Sequence, residues 1–347
     1  MNYYQPYNYN LDLRYQKLNK KKSFKRDINI IGLGMLFFTA YLMSVGFIFQ
    51  IPLFLFGPPF INENVDFDFM QAVYYACNDS IAIPAMFFSG VLILSGLSLR
   101  HNDVINFKFN KPKKVVMALI PISFVFFMVA NNIIEMFLNN LSSIGLDFST
   151  DLASNIKYSG NILDNILYLI FLAIVPAIVE EYLFRGVVLG SLRKYGDGFA
   201  ILFSAILFGF MHGNIVQIPF AFIGGLLLGY ITVYSNSIIP AMIVHFLNNG
   251  FSVVSDIIMN EYGENVVIIV TVAVLIITII ISLFCLKFLA NFDKDIFKLK
   301  KHFDSLLSFK EKVKASLTTP SIIVFLIYNV INIILMCLIL SVANTVS

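Results

Sequence analysis

The sequence predicts an all-α polytopic membrane protein, with about eight to nine transmembrane helices around a polar cavity. Of its 347 residues, 58% are hydrophobic and only 13% are charged, and the mean hydropathy is +0.81. About 25% of the residues in a typical soluble domain are charged, so an ordinary soluble fold is excluded. Cys77, Cys285 and Cys337 all lie in apolar runs, which excludes a disulfide scaffold.

The lengths of the apolar runs predict the spans. A hydrocarbon core about 30 Å thick needs roughly 20 apolar residues per helix. The candidate runs are 28–56, 69–97, 114–138, 162–192, 199–215, 217–234, 238–256, 265–288 and 320–343. The fifth and sixth runs are short and nearly continuous, so they leave the count between eight and nine. Residues 1–27 form a basic arm and not a signal peptide, because the apolar run that follows is too long.

The positions of the basic residues predict the orientation. If the first span runs from inside to outside and the others alternate, all but one of the 24 lysines and arginines are cytoplasmic, the exception being Lys157. The acidic loops near Glu63, Asp147 and Asp256 are then outside. The positive-inside rule therefore predicts a cytoplasmic N-terminus and an extracytoplasmic C-terminus. The many Asn, Ile, Lys and Phe residues are typical of an AT-rich genome, which hints at a bacterial source. The expected location is therefore a bacterial cell membrane. We expect the lipid bilayer as a partner and no nucleic acid.

Ionisable residues within a span cost at least about 2.5–3.5 kcal/mol each, so they are functional candidates. The fourth run contains Glu180, Glu181 and Arg185. Glu181 and Arg185 are four residues apart and can neutralise one another on one helical face. For Glu181 and Arg185, a purely structural role as a buried ion pair that locks helix packing is as good an interpretation as a functional role. Glu180 points about 100° away and has no local cation, which suits a proton-transferring group. Glu135 is interpreted as an interfacial acid.

Two histidines are also expected inside spans, and one of them shares a helical face with an amide. His245 and Asn249 are four residues apart. Glu180 lies 16 residues before Gly196 in a predicted turn, and His212 lies 16 after it. At about 1.5 Å per residue the two side chains reach the same depth. Four polar groups on three helices are therefore expected to converge on one buried site.

These residues form three motifs, Glu180-Glu181-x-x-x-Arg185, Phe208-x-x-x-His212 and His245-x-x-x-Asn249. Together they resemble the motifs of the CPBP (CAAX protease and bacteriocin-processing, Abi) intramembrane protease family, which includes the type II CAAX prenyl endopeptidases. The resemblance covers roughly residues 160–256. It divides the chain into a basic arm (1–27), N-terminal helices (28–160), a catalytic core (161–256) and C-terminal helices with a basic linker (257–347, linker about 287–319).

The resemblance implies peptide-bond hydrolysis in a cavity open to the cytoplasm. Glu180 would be the general base and would activate a water together with His212. His245 and Asn249 would stabilise the oxyanion, and Glu181 would pair with the supporting Arg185. No cofactor is favoured, because the chain has no His-Glu-x-x-His. Zinc bound by Glu180, His212 and His245 stays an alternative.

The implied substrate is a membrane-associated peptide or protein precursor. Prenylated C-terminal peptides, bacteriocin or pheromone precursors and membrane-anchored regulators are all open. The rival interpretation is a transporter or a non-catalytic scaffold or sensor, because intramembrane charges also mark transport pathways. No repeat relates the two halves of the chain, which argues against the transporter.

Overall fold

The computed structural model describes residues 9–56, 67–143, 162–292, 296 and 306–346, and its regular structure in these ranges is entirely helical. The all-α fold predicted from the composition is therefore confirmed. Lys157 and the acidic loops around Glu63 and Asp147 lie outside the described residues.

Most of the long helices follow the predicted runs with small shifts at their ends, and the first helix is the exception. In order they are α1 (Tyr9–Phe56), α2 (Phe67–Leu97), α3 (His101–Val104), α4 (Lys113–Ser143), α5 (Ile162–Tyr195), α6 (Asp197–Met211), α7 (Gln217–Ser235), α8 (Ile239–Tyr262), α9 (Glu264–Phe292), α10 (Phe309–Leu317) and α11 (Pro320–Val346). No helix boundary lies at residue 27, because α1 begins in the basic arm at Tyr9 and continues through the first apolar run.

Six helices in the described part of the chain are long and apolar enough to cross a membrane, namely α1, α4, α5, α7, α8 and α9. The pair α10 and α11, bent by 67°, makes a seventh if it counts as one span. α6 and the part of α2 from Ile81 are shorter apolar helices. The chain is thus an integral membrane protein, but the predicted count of eight to nine spans is not confirmed.

α6 corrects the prediction for the fifth span, 199–215. The helix has 15 residues and ends at Met211, so His212 caps its C-terminus instead of lying within a span. The following Gly213 has φ +60°. Only glycine adopts this left-handed conformation without steric cost, and it ends the helix here.

The basic segments meet at one end of the bundle, which we call the basic end. The contacts that join them are Lys194 Nζ to Asp27 Oδ2 (2.7 Å), Lys111 Nζ to the ring centroid of Tyr234 (4.8 Å) and Lys312 Nζ to the carbonyl of Tyr195. α4 and α8 begin at this end and α9 returns to it. Their other ends, with Glu135, Asp256 and Glu264, form the acidic end. Which end faces the cytoplasm stays the prediction of the positive-inside rule.

Two glycines bring α6 and α7 into close contact. A Cβ atom on Gly225 would lie 3.0 Å from Ala205 Cα, and one on Gly229 would lie 3.2 Å from Ile201 Cγ2. Small residues four positions apart allow two helix backbones to approach in this way. α6 and α7 therefore pack closely against one another.

α5 is not a regular α-helix. Its segments Ile170–Ile174 and Tyr182–Leu189 are π-helical, and they bracket the α-helical turns Val175–Glu181. π-helical turns widen a helix locally and are frequent at functional sites. The Glu180-Glu181 pair therefore lies at the junction between the two kinds of helix.

Candidate active site

Glu181 is the centre of a buried ionic network between α5 and α8. Its side chain is fully buried, and its Oε1 lies 2.8 Å from Arg185 Nη1 and 2.8 Å from His245 Nδ1. The predicted pair with Arg185 is present, while the bond from His245 was not predicted. Buried charges are tolerated only when paired and hydrogen-bonded. The carboxylate of Glu181 therefore fixes the orientation of the imidazole.

Arg185 joins this network to α6. Its guanidinium carbon lies 4.2 Å from the ring centroid of Phe208, a cation–π contact in a fully buried environment. The planar guanidinium can stack on the ring and still bond Glu181, which a lysine ammonium cannot do. Three helices are thus held around one carboxylate.

Glu180 faces the other nitrogen of the same imidazole. Glu180 Oε2 lies 3.7 Å from His245 Nε2, and the Glu180 side chain is 13% exposed. This separation is too long for a hydrogen bond, and Oε2 is buried without a hydrogen-bond partner. A buried carboxylate oxygen of this kind is a natural position for a water molecule.

His212 has one ring nitrogen fixed and one available. Its Nδ1 lies 2.9 Å from the carbonyl oxygen of Phe208. A carbonyl only accepts hydrogen bonds, so Nδ1 carries the proton and donates it to this bond. In the neutral imidazole, Nε2 then has the free lone pair.

The predicted register between α5 and α6 is confirmed by a pair of aromatic rings. Phe184 and Phe208 lie twelve residues to either side of Gly196, and their ring centroids are 5.1 Å apart. Glu180 and His212 lie one further turn along the two antiparallel helices, so their depths match. They share no hydrogen bond or ion pair, and the imidazole that lies 3.7 Å from Glu180 Oε2 is that of His245.

Asn249 receives a hydrogen bond from its neighbour on α8. Asn248 Nδ2 donates to Asn249 Oδ1 at 3.0 Å. The bond orients the Asn249 amide and leaves its own Nδ2 hydrogens for another acceptor. The sequence interpretation overlooked Asn248, although the Asn-Asn pair was the signal that could have identified it.

A cavity of about 730 Å³ extends from the site towards the acidic end. His212 and Asn249 line it, whereas Glu180 and His245 do not. Its other polar wall residues are Asn131, Asn132, Glu135, Gln217, Asn248, Ser252, Ser255, Asp256 and Thr271. Glu135, which was interpreted as an interfacial acid, is therefore a cavity residue.

The position of this cavity conflicts with one expectation. The resemblance implied an opening towards the cytoplasm, and the positive-inside rule placed the basic end there. The cavity lies at the opposite, acidic end, since it is lined by the last turns of α4 and α8 and the first turns of α9. The two expectations cannot both hold, and under the predicted orientation the cavity belongs to the extracytoplasmic half.

A family model described as type II CAAX prenyl endopeptidase Rce1-like matches residues 162–251. This segment contains all three motifs. The match supports the resemblance of this segment to the CPBP family of CAAX proteases. A relative from Staphylococcus aureus (strain USA300), named membrane-embedded CAAX protease MroQ, is 23% identical over 177 residues, which cover 49% of this chain and 70% of the relative. No solved structure matches the chain.

Glu180, His212 and His245, the residues of the zinc alternative, are not grouped as metal ligands in the described structure. Among the residues that the structure describes, no three His, Cys, Asp or Glu side chains are grouped so that they could hold a metal ion. Glu180 faces His245, and His212 lines the cavity.

The matched segment does not contain the whole candidate site. α4 and α9 lie outside it, yet both contribute walls of the cavity. The three sequence motifs lie in α5, α6 and α8, so they could not identify the cavity walls formed by α4 and α9.

Proposed function

We propose that the protein is an intramembrane endopeptidase that hydrolyses a peptide bond of a membrane-associated peptide or protein by means of water activated by Glu180 and His212. The observation that carries the proposal is the division between two adjacent acids. Glu181 is engaged through Oε1 by Arg185 and His245, whereas Glu180 makes no hydrogen bond with the described residues. The Oε2 atom of each acid is buried without a hydrogen-bond partner.

This division assigns a role to each acid. Glu181 is a positioning residue, because its carboxylate holds His245 and Arg185. Glu180 is the general base that accepts a proton from water as the water oxygen bonds to the scissile carbonyl carbon. The carbonyl π electrons move onto the oxygen. When the C–N bond breaks, Glu180 returns the proton to the departing amide nitrogen.

His212 assists by accepting a hydrogen bond from the same water. The bond from Nδ1 to the Phe208 carbonyl holds the tautomer whose Nε2 is an acceptor. This nitrogen lies at the depth of Glu180 on the neighbouring helix. Two acceptors at one level orient the water and strengthen its attack.

The oxyanion is stabilised by Asn249 and by His245. The Asn249 Nδ2 group is left as a donor by the bond that Asn248 makes to Oδ1. His245 in its imidazolium form donates through Nδ1 to Glu181 and can donate through Nε2 to the oxyanion. Removal of one such donor costs about 10²–10³ in rate in a well-studied hydrolase.

The substrate we propose is a peptide or membrane-protein precursor. The name of the staphylococcal relative supports a protease embedded in the membrane. The amide and hydroxyl groups along the cavity support a polypeptide ligand, because they can bond its backbone. A prenyl group is not required for these contacts.

The decisive experiment compares membrane peptides from cells that contain the wild-type protein or Glu180→Gln. A peptide found to be processed only with the wild type is then tested with purified protein in detergent. We expect Glu180→Gln to lower the cleavage rate by about 10²–10⁴ without changing the thermal unfolding midpoint. Glu261→Gln, a neutralised exposed acid on the same helix as His245, is the matched control.

Equal cleavage by wild type and Glu180→Gln would contradict the mechanism and favour the transporter or scaffold interpretation. Metal dependence has its own test. We expect cleavage to persist after exhaustive chelation, and loss of activity that is restored by zinc would contradict the metal-independent scheme.

A further inference from the structure

The cavity beside the candidate site has a strongly one-sided charge. Among the residues that the structure describes, Glu135 and Asp256 are the acidic residues on its wall, and no lysine or arginine lines it. Glu135 is exposed, and it makes no hydrogen bond or ion pair with the described residues. Low-dielectric walls around such a cleft focus the electric field and concentrate ions of opposite charge.

The depth of each acid follows from the helices that carry it. α4 and α8 both run from the basic to the acidic end, and Phe124 of α4 meets Phe251 of α8 with ring centroids 5.9 Å apart. Asp256 lies seven residues beyond Asn249, or about 10 Å. Phe251 lies two residues beyond Asn249, and Glu135 lies eleven residues beyond Phe124. Glu135 is therefore about 20 Å above the level of Asn249 along the helix axes.

These distances can be expressed in residues of a bound peptide. An extended chain advances about 3.3 Å per residue. A substrate whose scissile carbonyl lies at Asn249 would pass Asp256 after about three residues and Glu135 after about six. Asn131, Asn132 and Gln217 on the cavity wall offer amide groups to its backbone.

We propose that the cavity binds the substrate as an extended chain that enters from the acidic end, and that Glu135 selects a lysine or arginine about six residues from the scissile bond. The inference rests on the proposed function and adds a substrate class, an extended cationic peptide segment. Glu135 acts here through its charge on the substrate and takes no part in the hydrolysis.

The first test measures binding, so it does not depend on cleavage. Full-length Glu180→Gln protein in neutral detergent is titrated into fluorescent peptides that are matched except for one residue, Lys or Glu, in a neutral polar background. Fluorescence anisotropy gives the dissociation constants. We expect the Lys peptide to bind more tightly, with a difference that shrinks as salt is added because screening weakens the attraction.

Variants then assign the preference to Glu135. On the same background, Glu135→Gln should weaken Lys-peptide binding by about 3-fold to 10-fold, and Glu135→Lys should reverse the preference. Glu264→Gln removes an acid at the same end that does not line the cavity, and it should leave binding unchanged. No measurable binding, equal affinity for both peptides, or an equal effect of Glu264→Gln would overturn the inference.

The second test uses the active protein and a cleaved peptide. Moving a single lysine along that peptide should give maximal kcat/KM when the lysine is about six residues from the cleaved bond, and Glu135→Gln should flatten this profile. Cleavage with no lysine preference would overturn the inference and leave the proposed function intact. Preferential binding of the Lys peptide without cleavage of any peptide would support the charge preference and contradict the proposed function.

Discussion

His245 Nδ1 lies 2.8 Å from Glu181 Oε1, so the acid that also binds Arg185 fixes the imidazole that faces Glu180. The two adjacent glutamates therefore contact opposite nitrogens of one ring. A change at either acid leaves the other in place, and the two changes are expected to have different consequences.

Glu181→Ala is predicted to act mainly on stability. It leaves the buried guanidinium of Arg185 without its carboxylate, and breaking a buried pair in this way costs about 3–5 kcal/mol. Thermal unfolding in detergent should therefore show a clearly lower midpoint, in contrast to Glu180→Gln. The double variant Glu181→Ala/Arg185→Met removes both charges and should recover part of the loss. A Glu181→Ala protein as stable as the wild type would contradict the structural role.

Asn248→Ala is predicted to slow cleavage without weakening substrate binding. Asn248 orients the Asn249 amide, so its loss should lower kcat by up to about 10-fold while KM stays constant. Asn249→Ala should cost more, because it removes the donor itself. Kinetic measurements on a cleaved peptide separate the two parameters. A rise in KM with unchanged kcat would instead place Asn248 among the substrate-binding groups.

Gly225→Ala is predicted to destabilise the bundle by about 1–3 kcal/mol, because the new Cβ would lie 3.0 Å from the backbone of Ala205. Gly250→Ala is the matched control within a helix, since its Cβ would have no neighbour nearer than 3.6 Å. The two midpoints of thermal unfolding test the comparison. Similar midpoints would mean that α6 and α7 separate at little cost.

The orientation of the bundle is predicted to place the acidic end outside the cell. Cysteines introduced at Glu261 and at Lys108 report on opposite ends, and a membrane-impermeant thiol reagent added to intact cells should label only the first. Both variants are made in a background without the three native cysteines. Labelling of the Lys108 position alone would invert the topology and place the cavity in the cytoplasmic half.

Local spacing was sufficient to predict part of this site. The pairing of Glu181 with Arg185 follows from helical geometry, and the common depth of Glu180 and His212 follows from counting residues around Gly196. Both depend on contacts that a helix and a tight turn already determine. The helix end at Met211 also had a local signal in Gly213, but the apolar run that continues beyond it concealed that signal.

Other features depended on tertiary packing. Which face of α8 meets α5 decides that His245 bonds Glu181, and no spacing within either helix determines this rotation. The π-helical turns of α5 change the rotation further. Glu135 could not be recognised as a cavity residue, because the walls formed by α4 and α9 are distant in sequence from the motifs.

The ion pair within α5 has a consequence for how the protein enters the membrane. Arg185 and Glu181 neutralise one another inside a single helix, so α5 can partition into lipid before α8 has been synthesised. His245 arrives more than 60 residues later, and only then is the imidazole between the two acids in place. A nascent chain that has inserted α5 and α6 therefore holds Glu180 and His212 but not the complete candidate site.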